Sequence, residues 1–288
     1  MKYELSVRDY NVPNEEHIER QKAHMDAARS LATSIRDYNI NNLKNYKCIC
    51  KLPDLIPLNS NPKWSKRLFG AVNTVQKAGC LVFVSKLFLD EFDFNYIEVN
   101  SIIKEIEEKH YRLWKLANRD KTLSMPTISL EELKAEFPDD EPIQSCNSLD
   151  EVYSVAGNPV GIGGSMFFLD NLIYLVCRWN DIDVVKPYSG SSYGTRIYNV
   201  DSLLENLEMG CPIPLRVENS VYLNDSSLKG GHYITLYGFN SGTAIVVDSN
   251  IDSNAGIKEL PIKQLFDAMI ANPNLVCAWN PSTVLLRK

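Results

Sequence analysis

The segment from Lys229 to Asp248 constrains the fold most, because it encodes two strands joined by a tight turn. A glycine pair leads into an apolar, β-branched and aromatic run that begins at His232. The residues Phe-Asn-Ser-Gly at 239–242 separate this run from a second one that ends at Asp248. Two such runs on either side of a glycine-containing turn are typical of a β-hairpin. We therefore expect antiparallel sheet in this part of the chain.

The register of this hairpin would bring a histidine and a carboxylate together. If the turn is centred near Asn240, His232 stands opposite Asp248, and directly paired residues point to the same face of a sheet. An aspartate beside a histidine can orient the imidazole and fix its tautomer. A slip of one residue would separate the two side chains, and an ordinary polar strand edge is the alternative interpretation. Four apolar positions share the face and predict that it is buried: Ile234, Leu236, Ala244 and Val246.

Hydrophobic periodicity differs between the two halves of the chain. Residues 13–35 and 97–118 carry apolar side chains at helical spacing, which is typical of amphipathic helices. Beyond about residue 184, short β-rich runs alternate with turns, and two predicted helices interrupt them. The predicted strands are 46–50, 213–217, 233–238, 244–248 and 276–279, and the two helices are 201–209 and 262–271. We therefore predict an α+β fold, mainly helical in its first half and antiparallel in its second.

Composition narrows the class of protein. The chain has 288 residues, 44% of them hydrophobic and 23% charged, as in ordinary globular proteins. Its formal net charge of −6 argues against a nucleic-acid binder, which usually shows a basic surplus. No run of about 18 apolar residues is present, so we expect no membrane span and no membrane partner. The first residues lack the layout of a secretory signal, which favours a cytoplasmic protein or one delivered by other means.

The cysteines do not form a disulfide pattern. They are odd in number and scattered, so we expect reduced thiols, most of them small buried hydrophobic side chains. Cys48 and Cys50 share one face of a short strand, where core packing is the favoured interpretation over a metal pair. We expect no metal and no cofactor. The seven positions are 48, 50, 80, 146, 177, 211 and 277.

Cys80 differs from the other cysteines in its surroundings. It follows Gly79 and opens an apolar run that extends to Leu89. If the run is a helix, Cys80 lies at its N-terminus, where unpaired amides and the helix dipole stabilise a thiolate. The same amides would offer hydrogen bonds to an oxyanion. If the run is a buried strand instead, Cys80 is only a core thiol.

Histidine is scarce, so there are few candidates for a general base. Three of the four copies lie in polar helical segments and are expected to be exposed, namely His17, His24 and His110. His232 follows the glycine pair directly and begins a strand. It is therefore the candidate base.

Together these segments resemble the papain-like cysteine peptidases. The residues that carry the resemblance are the stretch NSNPKW at 59–64, Gly79-Cys80, Gly231-His232-Tyr233 and the strand-terminal Asp248. The most similar branch is that of the double-glycine, bacteriocin-processing peptidases, which occur widely in bacteria and their phages. The resemblance implies a papain-like domain over 57–288, whose central helix starts at the cysteine and packs on a C-terminal antiparallel sheet. Residues 1–56 would be a helical extension, and residues from about 93 to 155 a helical insertion.

The resemblance also implies roles for individual residues. Cys80 would attack an amide or thioester carbonyl, His232 would shuttle the proton, and Asp248 would orient His232. Papain-like enzymes use an upstream glutamine as oxyanion donor. Here Asn59 stands at the matching position, and Gln76 is the other candidate.

Three functions are compatible with these features. The first is a cysteine peptidase or amidase that cleaves a peptide or a cell-wall, peptidoglycan-like peptide bond. The second is a structural or interaction protein, such as a phage virion component, that keeps the fold without turnover; Leu81 stands where members often have a small residue. The third is a thiol acyltransferase. A protein partner would contact the N-terminal helix or the insertion.

Overall fold

The computed structural model describes residues 3–5, 14–67, 74–106, 129–136, 144–148, 151, 167–182, 195–251 and 253–285. The chain divides into two compact units. Met1–Tyr10 and Pro57–Phe168 form the first, here called the helical unit. Asn11–Ile56 and Leu169–Lys288 form the second, here called the sheet unit. The predicted domain division, with an extension over 1–56 and an insertion at about 93–155, stays a prediction.

The α+β class predicted from the sequence is confirmed, and every described strand pair is antiparallel. The helices are α1 (Asn14–Asp37), α2 (Val75–Ala78), α3 (Cys80–Glu91), α4 (Leu130–Glu136), α5 (Phe167–Trp179), α6 (Val200–Glu208), α7 (Asn219–Tyr222), α8 (Ile262–Ile270) and α9 (Ser282–Leu285). Residues 99–106 are also helical. The strands are β1 (Lys47–Ile49), β2 (Ile213–Glu218), β3 (Gly231–Asn240), β4 (Thr243–Val247), β5 (Ile257–Pro261) and β6 (Cys277–Ala278).

The sheet unit is built around β3, the longest strand. The strand order is β5-β4-β3-β2-β6, and β1 adds to β3 on the edge that β2 also occupies. The interior residues of β3 are buried on both faces, in keeping with their continuous apolar and aromatic sequence. Helix α8 packs on β2, and α1 packs on α8 and β6. The hairpin and the helices α6 and α8 lie where the sequence predicts them, whereas β5 was not predicted.

In the helical unit, the apolar run after Gly79 is a helix and not a strand. Helix α3 begins at Cys80, and eight of its residues are buried. The indole of Trp64 packs on Phe83, with ring centroids 5.7 Å apart. The helical interpretation of this run is therefore confirmed, together with the position of Cys80 at its first residue.

The prediction for His24 is wrong. It was expected to be exposed on a polar helix, but it is 6% exposed and lies on the buried side of α1, with Ala28 and Leu31. The side chain of His17 and the whole of His110 lie outside the described residues. Among the helices of the described ranges, none has the length and apolar character needed to cross a membrane.

Candidate active site

The strongest candidate for catalytic chemistry is a buried histidine–aspartate pair in the sheet unit. His232 is the second residue of β3, and Asp248 follows the last residue of β4. The Nε2 atom of His232 lies 2.8 Å from Oδ1 of Asp248. The two residues are 2% and 1% exposed. The contact predicted from the sequence is therefore present.

The predicted register that would produce this contact is wrong. His232 was expected directly opposite Asp248, but the pairing is Thr235 with Val247 and Leu236 with Val246. Asn240 pairs with Thr243, three positions away from the predicted register, and a β-bulge between Leu236 and Gly238 removes one of the three, so Asp248 reaches His232 diagonally across the hairpin. A shift of two positions keeps both side chains on one face, which is why the contact survives.

Gly238 explains why the bulge lies at this place. Its φ angle is +153°, a conformation that side chains disfavour, and a Cβ atom would overlap the carbonyl of Cys48 on the neighbouring strand β1. The close approach of β1 to β3 therefore requires glycine here. The predicted burial of the shared face is confirmed, since Ile234 and Val246 are fully buried.

The contact with Asp248 determines which nitrogen of His232 is available as a base. Since the ionised carboxylate only accepts hydrogen bonds, Nε2 carries the ring proton, and the Nε2–H group donates a hydrogen bond to Oδ1. The other nitrogen, Nδ1, is then the basic one in the neutral ring. The side-chain amide of Asn250 lies beside it, with Nδ2 3.5 Å from Nδ1. Asn250 thus borders the basic side of the imidazole.

The surroundings of Asp248 keep it ionised. Burial raises its pKa, but the charge of His232 and the hydrogen bond to it outweigh burial, with further help from the backbone N–H of Asn250. The resulting pKa lies below the usual value of an aspartate. The Asn250 N–H donates to Oδ1 at 2.9 Å. A carboxylate that stays charged can orient the imidazole and stabilise an imidazolium.

Tyr222 forms one wall of this site. Its side chain is fully buried, and its ring centroid lies 6.0 Å from that of His232. Burial, followed by the charge of Asp248, raises the pKa of its phenol. The ammonium of Lys258 lies 4.1 Å from the centroid of the Tyr222 ring. Burial lowers the pKa of Lys258, and the charge of Asp248 opposes that shift.

The candidate nucleophile, Cys80, belongs to the helical unit. It is the first residue of α3 and is partly exposed. The carbonyl of Gly79 accepts from the amides of Val82 and Phe83, at 2.9 and 3.3 Å. The amides of Cys80 and Leu81 come earlier in the first turn, where a helix supplies no acceptor of its own. These amides are therefore suited to an anion beside the thiol.

The two candidate oxyanion donors also lie in the helical unit. Asn59 is buried, and its Nδ2 donates to the carbonyl of Gln76 at 3.1 Å. The side chain of Gln76 is exposed, on the short helix α2 that precedes Cys80. The Asn59 amide thus fixes the main chain just before the nucleophile. Whether either amide binds an oxyanion stays a prediction.

Sequence reasoning missed three residues of the site: Asn250, Tyr222 and Lys258. Asn250 follows Asp248 by two residues, a spacing at which side chains commonly bond nearby backbone, and this signal was available. Tyr222 and Lys258 lie in α7 and β5, and their contacts with the site depend on packing between separate elements. No local pattern indicates them.

The other cysteines differ from Cys80. None of the seven forms a disulfide, and all lie within the described residues. Besides Cys80, only Cys48 is partly exposed, and the other five are buried. Burial raises the pKa of Cys177 and of Cys277 to about 12, so both stay thiols at neutral pH. Cys48 is thus the natural comparison for the reactivity of Cys80.

Comparison with known proteins adds no relative. No protein-family model, curated protein or solved structure matches this chain.

Proposed function

We propose that this chain is a papain-like cysteine hydrolase, a peptidase or amidase, that cleaves a peptide or cell-wall peptide bond. The observation that carries the proposal is the buried hydrogen bond between His232 Nε2 and Asp248 Oδ1, at 2.8 Å. It leaves Nδ1 as the basic nitrogen on a ring of fixed orientation. A histidine held in this way is what a thiol nucleophile needs as its base.

The proposed reaction has two steps. His232 Nδ1 takes the proton of the Cys80 thiol, and the sulfur attacks the carbonyl carbon of the scissile amide. The tetrahedral oxyanion would accept hydrogen bonds from amides at the start of α3, with Asn59 or Gln76 as a side-chain donor. The C–N bond then breaks, and the imidazolium gives its proton to the leaving amine. Water hydrolyses the thioester and restores the thiol.

Selective alkylation tests this proposal on the intact chain. Iodoacetamide should label Cys80 roughly tenfold faster than Cys48, which has similar exposure but lies on a strand without a helix start or a base. His232→Ala should slow the labelling of Cys80 by roughly tenfold or more and leave that of Cys48 unchanged. Peptide mapping by mass spectrometry gives both rates from one sample.

Two outcomes would contradict the proposal. If Cys80 and Cys48 are alkylated at equal rates, or if His232→Ala leaves the alkylation rate of Cys80 unchanged, the non-enzymatic structural protein is supported instead. A fast, His232-dependent Cys80 that also forms a covalent adduct with a peptidyl vinyl sulfone supports the hydrolase. Cys80→Ser is the control for that adduct, because it changes only the nucleophilic atom.

A further inference from the structure

The hydroxyl of Tyr222 is a polar group buried in an apolar wall. Among the residues that the structure describes, no group meets hydrogen-bond geometry with its oxygen, although the side chain is fully buried. Buried polar atoms of this kind are rare in folded proteins and call for an explanation. A phenylalanine would fill the same volume without a polar atom, so the oxygen itself needs a role.

Asp248 supplies the acceptor that this hydroxyl needs. Both hydrogen bonds described for the carboxylate end on Oδ1, one from His232 Nε2 at 2.8 Å and one from the Asn250 N–H at 2.9 Å. Among described contacts, Oδ2 receives no hydrogen bond. The Tyr222 ring centroid lies 6.0 Å from that of His232, the residue that donates to Asp248, so the hydroxyl and the carboxylate belong to one buried cluster. In keeping with this, the charge of Asp248 adds to burial in raising the pKa of the phenol, and Tyr222 contributes to the lowered pKa of Asp248.

The main chain of Tyr222 is fixed from the outer side of the site. Its carbonyl accepts from Lys258 Nζ at 3.3 Å and from Gln264 Nε2 at 3.0 Å. The same Lys258 ammonium lies over the ring face. A cation in this position is attracted by the π-electrons of the ring and helps to hold the ring in place. Strand β5 and helix α8 thus determine where the hydroxyl points.

We propose that Tyr222 is a positioning residue, whose hydroxyl donates to Oδ2 of Asp248 and holds the carboxylate in the orientation that His232 requires. With both oxygens engaged, the carboxylate does not rotate away from Nε2–H. His232 therefore keeps its proton on Nε2 and its lone pair on Nδ1. The link to catalysis depends on the function proposed above, whereas the contact itself belongs to the sheet unit alone.

Tyr222→Phe removes only the oxygen and tests this role. In the unaltered chain, ¹⁵N NMR should show His232 with a protonated Nε2 and an unprotonated Nδ1. In Tyr222→Phe the two nitrogen shifts should move toward each other as the second tautomer becomes populated. The alkylation rate of Cys80 should fall about fivefold, because a hydrogen bond to a charged group is lost. Thr235→Val removes another buried hydroxyl of the same strand, on the face opposite His232, and should change neither the nitrogen shifts nor the alkylation rate.

If the ¹⁵N chemical shifts of His232 are unchanged in Tyr222→Phe, the proposal is overturned, even if thermal stability falls. A tyrosine with a purely structural role would lower stability without changing those shifts. If Tyr222→Phe does not fold, the unaltered chain still decides. A slowly exchanging Tyr222 hydroxyl proton with a nuclear Overhauser effect to His232 supports the contact, and its absence overturns it. Failure of the hydrolase proposal gives a different result. In that case His232→Ala leaves the alkylation rate of Cys80 unchanged, while the ¹⁵N chemical shifts of His232 still test the role of Tyr222.

Discussion

Each face of the sheet carries a buried polar cluster that contains one histidine and one aspartate. The two histidines differ in the charge of the side chain that they contact: His232 contacts Asp248, whereas His24 contacts Arg196. Val217 pairs with His232, whereas Arg216 pairs with Tyr233 and with Cys277. Because successive residues of a strand point to opposite faces, His232 and Cys277 lie on opposite sides. The face of Cys277 carries the second cluster, which is centred on Asp170 and Arg196.

In the second cluster, both oxygens of the Asp170 carboxylate accept hydrogen bonds from buried groups. Asp170 Oδ1 accepts from Arg196 Nε at 2.7 Å, Trp279 Nε1 at 3.1 Å and Thr195 Oγ1 at 3.2 Å. Its Oδ2 accepts from Arg196 Nη2 at 2.5 Å. Arg196 Nη1 also contacts Cys277 Sγ, and it donates to Nδ1 of His24 at 3.2 Å. Both oxygens of the carboxylate are therefore used by groups that do not give up a proton.

The comparison shows that burial alone does not make a histidine a base. Burial, followed by the charge of Arg196, lowers the pKa of His24 to about 3. His24 is therefore neutral at neutral pH, and the lone pair on its Nδ1 is used as an acceptor. His232 instead donates to a carboxylate through Nε2, which leaves Nδ1 on the far side of the ring. The partner, an anion or a cation, distinguishes a candidate catalytic histidine from a structural one.

The largest expected effect would come from Asp170→Asn. It leaves Arg196 as a buried cation without its counter-ion, which typically costs about 3–5 kcal/mol of unfolding free energy. Asp248→Asn should cost less, because its neighbour His232 can stay neutral. Urea denaturation of both variants, followed by fluorescence, measures the difference. Equal losses would remove the distinction drawn between the two clusters.

His24 should give the molecule a pH-dependent stability. Its pKa is about 3 in the folded chain, against 6.5 as its ordinary value, so between these values the unfolded chain binds the additional proton. Stability should therefore fall as the pH drops from 6.5 toward 3, by about 1.4 kcal/mol per pH unit. The contribution is fully present above pH 6.5. Denaturation midpoints at a series of pH values measure this slope.

His24→Gln is the matched control for that slope, because glutamine keeps an acceptor for Arg196 without titrating. The part due to His24 should then disappear. The lowered pKa of Asp248 acts in the same direction, since stability that depends on its ionised form is lost as pH falls, at the lower pH where the carboxyl is protonated. An unchanged slope in His24→Gln would show that His24 is not the source.

The smallest expected effect would come from Gly238→Ala, which perturbs the bulge that sets the position of Asp248. The positive φ angle and the overlap with the Cys48 carbonyl predict a loss of about 1–3 kcal/mol. The ¹⁵N shifts of His232 should change, since the register beside Asp248 changes. Gly242→Ala, at the hairpin turn, also has a positive φ angle, but no atom lies within 4 Å of its Cβ position. It controls for backbone strain alone, and equal effects on His232 would exclude a role for the bulge.

Much of the fold was predictable because its signals are local. Apolar, β-branched and aromatic runs on either side of the turn at 239–242 predict the hairpin, and apolar residues at helical spacing predict α6 and α8. The apolar run after Gly79 left helix and strand open, because a short apolar segment has no clear period. The strand β5 was missed, since its sequence Ile-Lys-Glu-Leu-Pro is short and half polar.

The candidate site was predictable only in part. The sequence indicated His232 and Asp248, but through a register without the bulge. The contact survives the wrong register, because a net shift of two residues preserves the face. Tyr222, Lys258 and the buried state of His24 were not predictable, since each results from contacts between elements far apart in the chain.

The sequence by itself determined where the strands of the hairpin run, that a histidine begins one of them and that an aspartate ends the other. Local periodicity and turn chemistry suffice for this, because they act over a few residues. Only the tertiary structure decided that α3 is a helix starting at Cys80, that Gly238 creates a bulge, and that His24 and His232 have partners of opposite charge. These features depend on packing and on electrostatics inside a low-dielectric interior, where the nearest charged group determines what a histidine can do.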